Sequence, residues 1–104
     1  MAKKLKPIHP GEQLQQEFMI PLGLSSNALA RALDITPARI NEIVRGRRGI
    51  SADTALRLAR FFSTSHQFWL NLQANYDVQC AEDKSGSKIA KIKPREAIEA
   101  AEVG

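Results

Sequence analysis

The sequence predicts an all-α fold: a compact body of five short helices followed by a variable C-terminal tail. Three observations predict it. Apolar residues recur at spacings of three and four through most of the chain, which puts them on single helical faces. Ser, Thr and Pro stand where such stripes begin, and Gly or Pro where they stop. Between residues 25 and 49 two of these stripes meet at a tight break, in SSNALARALDITPARINEIVRGRRG.

Residues 1–9 form a basic, Pro-containing lead-in, in which Lys3, Lys4 and Lys6 either fray or touch phosphate. A first helix starts at Pro10 with Glu12 near its positive end, turns Leu14, Phe18 and Met19 inward, and is broken by Pro21 and Gly23. Leu24 packs beneath that turn. Ser25 or Ser26 caps the second helix, whose inward stripe is Leu29, Ala30 and Leu33. Ala30 is small enough for a close crossing. Asp34 falls at the bend, where a left-handed backbone is expected, and Ile35 plugs the turn.

Thr36 and Pro37 restart the chain as a third helix, because Thr caps well and Pro at the first position lacks only an amide that has no partner there. Ile40, Ile43 and Val44 face inward, Ala38, Arg39, Asn41, Glu42 and Arg45 face outward or along the rim, and Gly46 ends the helix. Arg47, Arg48 and Gly49 make a basic loop anchored by Ile50. Ser51 caps a fourth helix over about residues 52–62, with Ala55, Leu58, Ala59 and Phe62 inward, Leu56 flanking, and Arg57 and Arg60 pointing elsewhere.

Thr64 with Gln67 is read as a capping box for a fifth helix running to about Asp77. Trp69, Leu72 and Tyr76 lie on one side of it, Leu70 and Ala74 nearer the other. That is more apolar surface than one core needs, so a neighbouring subunit or the tail should cover the rest. Trp69, Leu70, Ala74 and Tyr76 are the candidate dimer or partner surface. Beyond Cys80 the composition changes: residues 81–93 hold Ser, Gly and four lysines and read as a linker or short extended segment, and residues 94–103 as one weak helix. The expected division is therefore a lead-in (1–9), a helical domain (10–80) and a tail that is flexible or ordered by a partner (81–104).

Length and composition agree with one small domain. At 104 residues the chain supports a single modest core, and 43% hydrophobic with 25% charged residues is ordinary for a globular protein. The formal net charge is +4, but its placement matters more. Between Arg31 and Arg60 there are seven arginines against three acids, and no lysine occurs between Lys6 and Lys84. Arginine's planar fork suits phosphate and guanine. The single cysteine, Cys80, excludes an intramolecular disulfide, and no run of 18 apolar residues exists, so a cytoplasmic protein without a signal peptide or membrane span is expected. No catalytic or metal constellation is visible: His9 and His66 are isolated, Cys80 has no second ligand at metal spacing, and no glycine-rich phosphate loop occurs. Catalysis, a cofactor, a metal and a small-molecule substrate are not expected.

The arrangement of Ala30, Asp34, Ile35 and Ile40 resembles the helix-turn-helix of bacterial repressors. With its flanks, the chain over residues 9–77 looks like a HigA family antitoxin, also called virulence-associated protein I, within the lambda-repressor-like (XRE-type) regulators. The resemblance rests on HPGE (9–12), on LARALDITPARINEIVRGRRGISADTALRLARFF (29–62) and on FWLNLQANYD (68–77). It implies a homodimer binding a palindromic double-stranded operator in its own promoter. It also implies a toxin partner similar to HigB, a RelE-type mRNA endonuclease, which the antitoxin neutralises. A free-standing regulator with no toxin is the alternative. Asp34 departs from the family, where Gly is frequent at the bend, and nothing after Cys80 matches family wording.

In a helix-turn-helix the second helix enters the major groove by its N-terminal part while the first crosses the backbone. On that geometry Thr36, Ala38, Arg39, Asn41 and Glu42 are the base-reading candidates. Arg39 suits a bidentate contact to guanine; Glu42 either accepts from cytosine or orients Arg39; Asn41 reads adenine or touches phosphate. Ser26 and Asn27 at the amide end of the crossing helix, with Arg45, Arg47 and Arg48 past the reading helix, are the backbone candidates. Arg31 is an even choice between phosphate and solvent.

Overall fold

Every helix of the computed structural model, which describes residues 6–96, opens on a side chain that closes its own first turn. His9, Ser25, Thr36, Ser51 and Ser65 accept from the backbone N–H of Gly11, Ala28, Arg39, Thr54 and Phe68 at 2.9, 3.0, 3.2, 3.2 and 3.1 Å. Each such cap satisfies an amide with no helical partner and contributes about 1 kcal/mol. The elements they start are α1 (Pro10–Gln13), which continues as a π-helical turn (Leu14–Met19), then α2 (Ser26–Leu33), α3 (Pro37–Val44), α4 (Ala52–Phe62) and α5 (His66–Ala90). There is no strand among the described residues. The all-helical, five-helix expectation therefore holds, and α4 has the bounds the sequence suggested.

Two starts and stops differ from expectation. The cap of α5 is Ser65 rather than a Thr64 and Gln67 box. Thr64 is occupied otherwise, accepting a 2.7 Å hydrogen bond from the Trp69 indole, and Gln67 bonds Asn71 one turn on. The second difference is length: α5 does not stop near Asp77 but runs unbroken through Cys80 to Ala90, so residues 81–90 are helix and not an extended linker. Of the remaining expectations, those for Lys3, Lys4 and residues 97–103 lie outside the described residues.

The π turn explains how the first helix feeds the core. Its hydrogen bonds span five residues, as in Ile20 N–H to Gln15 O at 2.9 Å, so positions five apart stack on one face. Leu14 and Met19 are both buried as a result, with Phe18 half-buried beside them. Around them close Leu29, Ala30 and Leu33 of α2, Ile40 and Ile43 of α3, Ile50, Ala55 and Leu58 at and within α4, and Trp69 of α5. Phe18, Phe62 and Phe68 surround Trp69 with ring centroids at 4.8, 6.0 and 5.0 Å, spacings at which tilted and edge contacts are favourable. Trp69 is thus the hub that binds the first and last helices together.

The N-terminal motif HPGE has a physical reason. Pro10 and Gly11 are buried, and a β-carbon on Gly11 would stand 1.7 Å from the carbonyl oxygen of Ile43. Only glycine lets α1 lie directly on the end of α3. His9 completes the joint, its ring 3.7 Å from where a β-carbon on Gly46 would be and 4.8 Å from the Tyr76 ring centroid, edge to face.

Candidate nucleic-acid interface

The turn between α2 and α3 is built as the sequence implies. Asp34 adopts the left-handed region at φ 57°, ψ 47°, and the Ile35 N–H returns to Ala30 O at 3.0 Å, which stops α2 and turns the chain. Ala30 is fully buried where the two helices cross, and Ile35 is half-buried over the joint. Thr36 caps α3 with its hydroxyl oxygen, Pro37 opens it, and Gly46 at φ 74° follows its end.

On this frame the outward side of α3 carries the candidates for base contact. Thr36 and Ala38 are exposed; Asn41 is half-buried on the rim. The Arg39 and Glu42 side chains keep 38% and 45% of their surface in solvent, so neither is packed away. Ser26 is half-buried and Asn27 exposed at the amide end of α2, while Arg45, Arg47 and Arg48 stand exposed just beyond α3 and Arg31 on α2. All of these side chains except Ser26, Asn41, Arg39 and Glu42 are exposed, and those four are partly so.

Two electrostatic partners differ from those expected. Glu42 does not orient Arg39; it pairs with Arg48, whose Nε and second guanidinium nitrogen both lie 3.2 Å from Glu42 Oε1. Arg39 instead faces Asp53 of α4, at 3.7 Å. Sequence reasoning also passed over Arg57. Its Nε donates to Asp53 at 2.9 Å, and one terminal nitrogen donates to the carbonyls of Leu33 and Asp34 at 2.8 and 3.1 Å. Arg57 thus closes the C-terminal end of α2, where carbonyls lack helical partners. The signal was present in the Asp53 and Arg57 spacing of four, acid before base.

The expected apolar partner surface needs correcting. Trp69 is fully buried within one chain, because its ring fills the centre of the aromatic cluster and its N–H is used by Thr64, so it cannot meet a partner. Leu70 is half-buried against the core and Tyr76 is covered on one edge by His9. Only Ala74 of that set is exposed. Beyond it, Val78 and Ile89 on the outer half of α5 expose 55% and 50% of their surface.

Titration is perturbed at the α1–α5 joint. Burial lowers the His9 imidazole below its ordinary 6.5, against a weaker upward pull from the Asp77 carboxylate. The Tyr76 phenol is raised, first by its hydrogen bond with the Cys80 side chain and then by the like charge that group carries when ionised. Among the described residues no group of three or more His, Cys, Asp or Glu is arranged to hold a metal ion, and no helix is long and apolar enough to cross a membrane.

An exposed helix set on a crossing helix, capped by Thr and joined by a left-handed turn, defines a helix-turn-helix domain. Residues 16–69 match the helix-turn-helix family HTH_3. Within it, the chain belongs to the family of virulence-associated protein I and the HigA antitoxins. It is 55% identical over 87 residues to virulence-associated protein I of Dichelobacter nodosus, covering 83% of this chain and 81% of that one. The antitoxin HigA of Pseudomonas aeruginosa, solved with the higBA promoter, superposes with a TM-score of 0.81 at 50% identity, over 86% of this chain and 98% of that one. A HigA family antidote protein from Coxiella burnetii gives 0.82 at 49% identity, over 86% and 99%. The family is one of DNA-binding antitoxins and transcription regulators, not of enzymes.

Proposed function

We propose that this chain is the antitoxin of a toxin–antitoxin pair, that it binds and neutralises a HigB-like, RelE-type endonuclease, and that as a dimer it represses its own operon at a palindromic operator. The observation that carries the DNA-binding part is the free N-terminal face of α3, with Arg39 accessible beside Thr36 and Ala38. Its relative from Pseudomonas aeruginosa was solved with promoter DNA, which supports the same use of this surface.

In this reading α3 lies in the major groove and Arg39 offers two parallel N–H groups to guanine O6 and N7. Thr36, Ala38, Asn41 and Glu42 border the same base edges. Ser26, Asn27, Arg45, Arg47 and Arg48 meet the sugar-phosphate wall, with Arg48 steered by Glu42. The dimer forms along the outer half of α5, which is about 37 Å long in all. Ala74, Val78, Ala81, Ser85 and Ile89 make one stripe there, and a second copy laid antiparallel sets Val78 against Ile89 and Ala81 against Ser85. Asp77, Glu82 and Asp83 precede Lys84, Lys88 and Lys91, so the same alignment brings acid opposite base. Such a pairing also accounts for a helical segment with no core of its own beneath it, since an isolated helix of that length is marginal in water.

Two substitutions test the division of labour. Arg39→Ala should relax base preference at one position per half-site, whereas Arg47→Ala should weaken operator and scrambled duplexes by a similar factor. Equal losses for both variants on both duplexes would contradict it. Co-expression with the reading frame next to this gene in its operon tests the toxin: a stable complex and relief of growth arrest support an antitoxin, and their absence with repression intact leaves a free-standing regulator.

A further inference from the structure

Arg39 is not alone at the start of the reading helix. The Asp53 oxygen that it faces at 3.7 Å is the same atom that accepts from Arg57 Nε at 2.9 Å. Arg57 in turn holds the last carbonyls of α2 at 2.8 and 3.1 Å. One carboxylate oxygen therefore serves guanidinium groups from α3 and α4, in a relay that reaches the end of α2. The two contacts are unequal. Arg57 is fixed at both ends by hydrogen bonds, whereas Arg39 stands beyond hydrogen-bond distance and is held by charge alone.

We propose that Asp53 is a specificity-determining residue: its carboxylate restrains Arg39, so that phosphate oxygens fail to recruit that side chain and a correctly placed guanine edge does. The proposal rests on Arg39 being a base-contacting residue. A phosphate offers Arg39 an anionic oxygen, which Asp53 already supplies at no cost in ordering. Guanine offers two acceptors at the spacing of the guanidinium fork, a geometry that a single oxygen at 3.7 Å does not match. Sequence-independent binding to nucleic acid comes chiefly from cation–phosphate contacts. A carboxylate at this point weakens them while leaving the base contact available.

The test compares Asp53→Asn, Arg39→Ala and the double variant with the unsubstituted chain, each titrated against operator and scrambled duplexes at one salt concentration. Asn keeps an oxygen for Arg57 Nε and removes the charge, so thermal unfolding of each variant checks that α4 and the turn survive. Asp53→Asn should tighten binding to scrambled DNA more than to the operator and lower the ratio of the two affinities about fivefold, a size that two exposed ion pairs in a dimer support. Asp53→Glu, which keeps the charge, should hold the ratio near its original value. In the Arg39→Ala background, Asp53→Asn should change both duplexes by the same factor and leave the ratio alone. An unchanged ratio in the single variant, or an equal fall with Arg39 absent, overturns the proposal while leaving Arg39 as a base reader. No loss of preference in Arg39→Ala itself overturns both.

Discussion

Replacing Gly11 by Ala probes the joint between α1 and the end of α3 directly. The new methyl carbon would sit 1.7 Å from Ile43 O, 2.5 Å from Ile43 C and 3.0 Å from Val44 Cα. All three are backbone atoms, so no side chain can swing aside. The helices must separate by more than an ångström, and gaps of that order forfeit a quarter to a half of each dispersion contact along the seam. Overpacked sites cost about 1–3 kcal/mol, and the rigid obstacle puts this one at the upper end, about 3 kcal/mol. For a domain of this size that lowers the melting temperature by roughly 10–20 °C. Gly86→Ala is the matched control: a β-carbon there meets nothing within 4 Å and the position is helical, so the same change should stabilise by about 0.5–1 kcal/mol. Urea and thermal unfolding of both proteins, followed by circular dichroism, measure the pair. A Gly11→Ala protein within about 0.5 kcal/mol of the original would refute the close approach of α1 to α3.

Two further outcomes follow from named contacts. Because burial holds His9 below its ordinary value of 6.5, the folded state binds fewer protons than the unfolded state in that region, and the stability due to His9 is present above pH 6.5 and lost as pH falls through the lowered value. Protonation also removes the Nδ1 acceptor used by Gly11 N–H, so His9→Gln should flatten the slope of melting temperature against pH between about 7 and 5 relative to the original protein; parallel slopes would contradict it. On α5, Ile89→Glu puts a charge against Val78 in the proposed antiparallel seam. Sedimentation velocity should then show monomers at concentrations where the original is dimeric, with the melting temperature of the monomer unchanged; an unaltered dimer would move the interface elsewhere.

Local signals in this chain are strong wherever the cause of structure is local. Thr36 with Pro37, Ser51 after Ile50, and Asp34 at the bend each act within a few residues, and each performs its expected part. The fully buried Ala30 was legible for the same reason. What escaped depended on partners distant in sequence. Trp69 reads as surplus surface on a helical wheel, but Phe18 and Phe62 enclose it and Thr64 takes its N–H. Arg39 meets Asp53 rather than Glu42 because α4 returns beside the first turn of α3, which no spacing within α3 reveals. The continuation of α5 past Asp77 was hidden by a polar, lysine-rich composition, since helix without a buried face leaves no periodic stripe of the usual width.

The account depends on α3 entering duplex grooves in paired copies. Hydroxyl-radical footprinting of the full-length chain on the DNA upstream of its own gene tests that most directly. Two protected windows should appear in inverted repeats, centred about one helical turn or roughly 34 Å apart, and both should vanish with Arg39→Ala at a concentration where the original protein protects. A single continuous window without symmetry, or protection that survives loss of Arg39 unchanged, would contradict it.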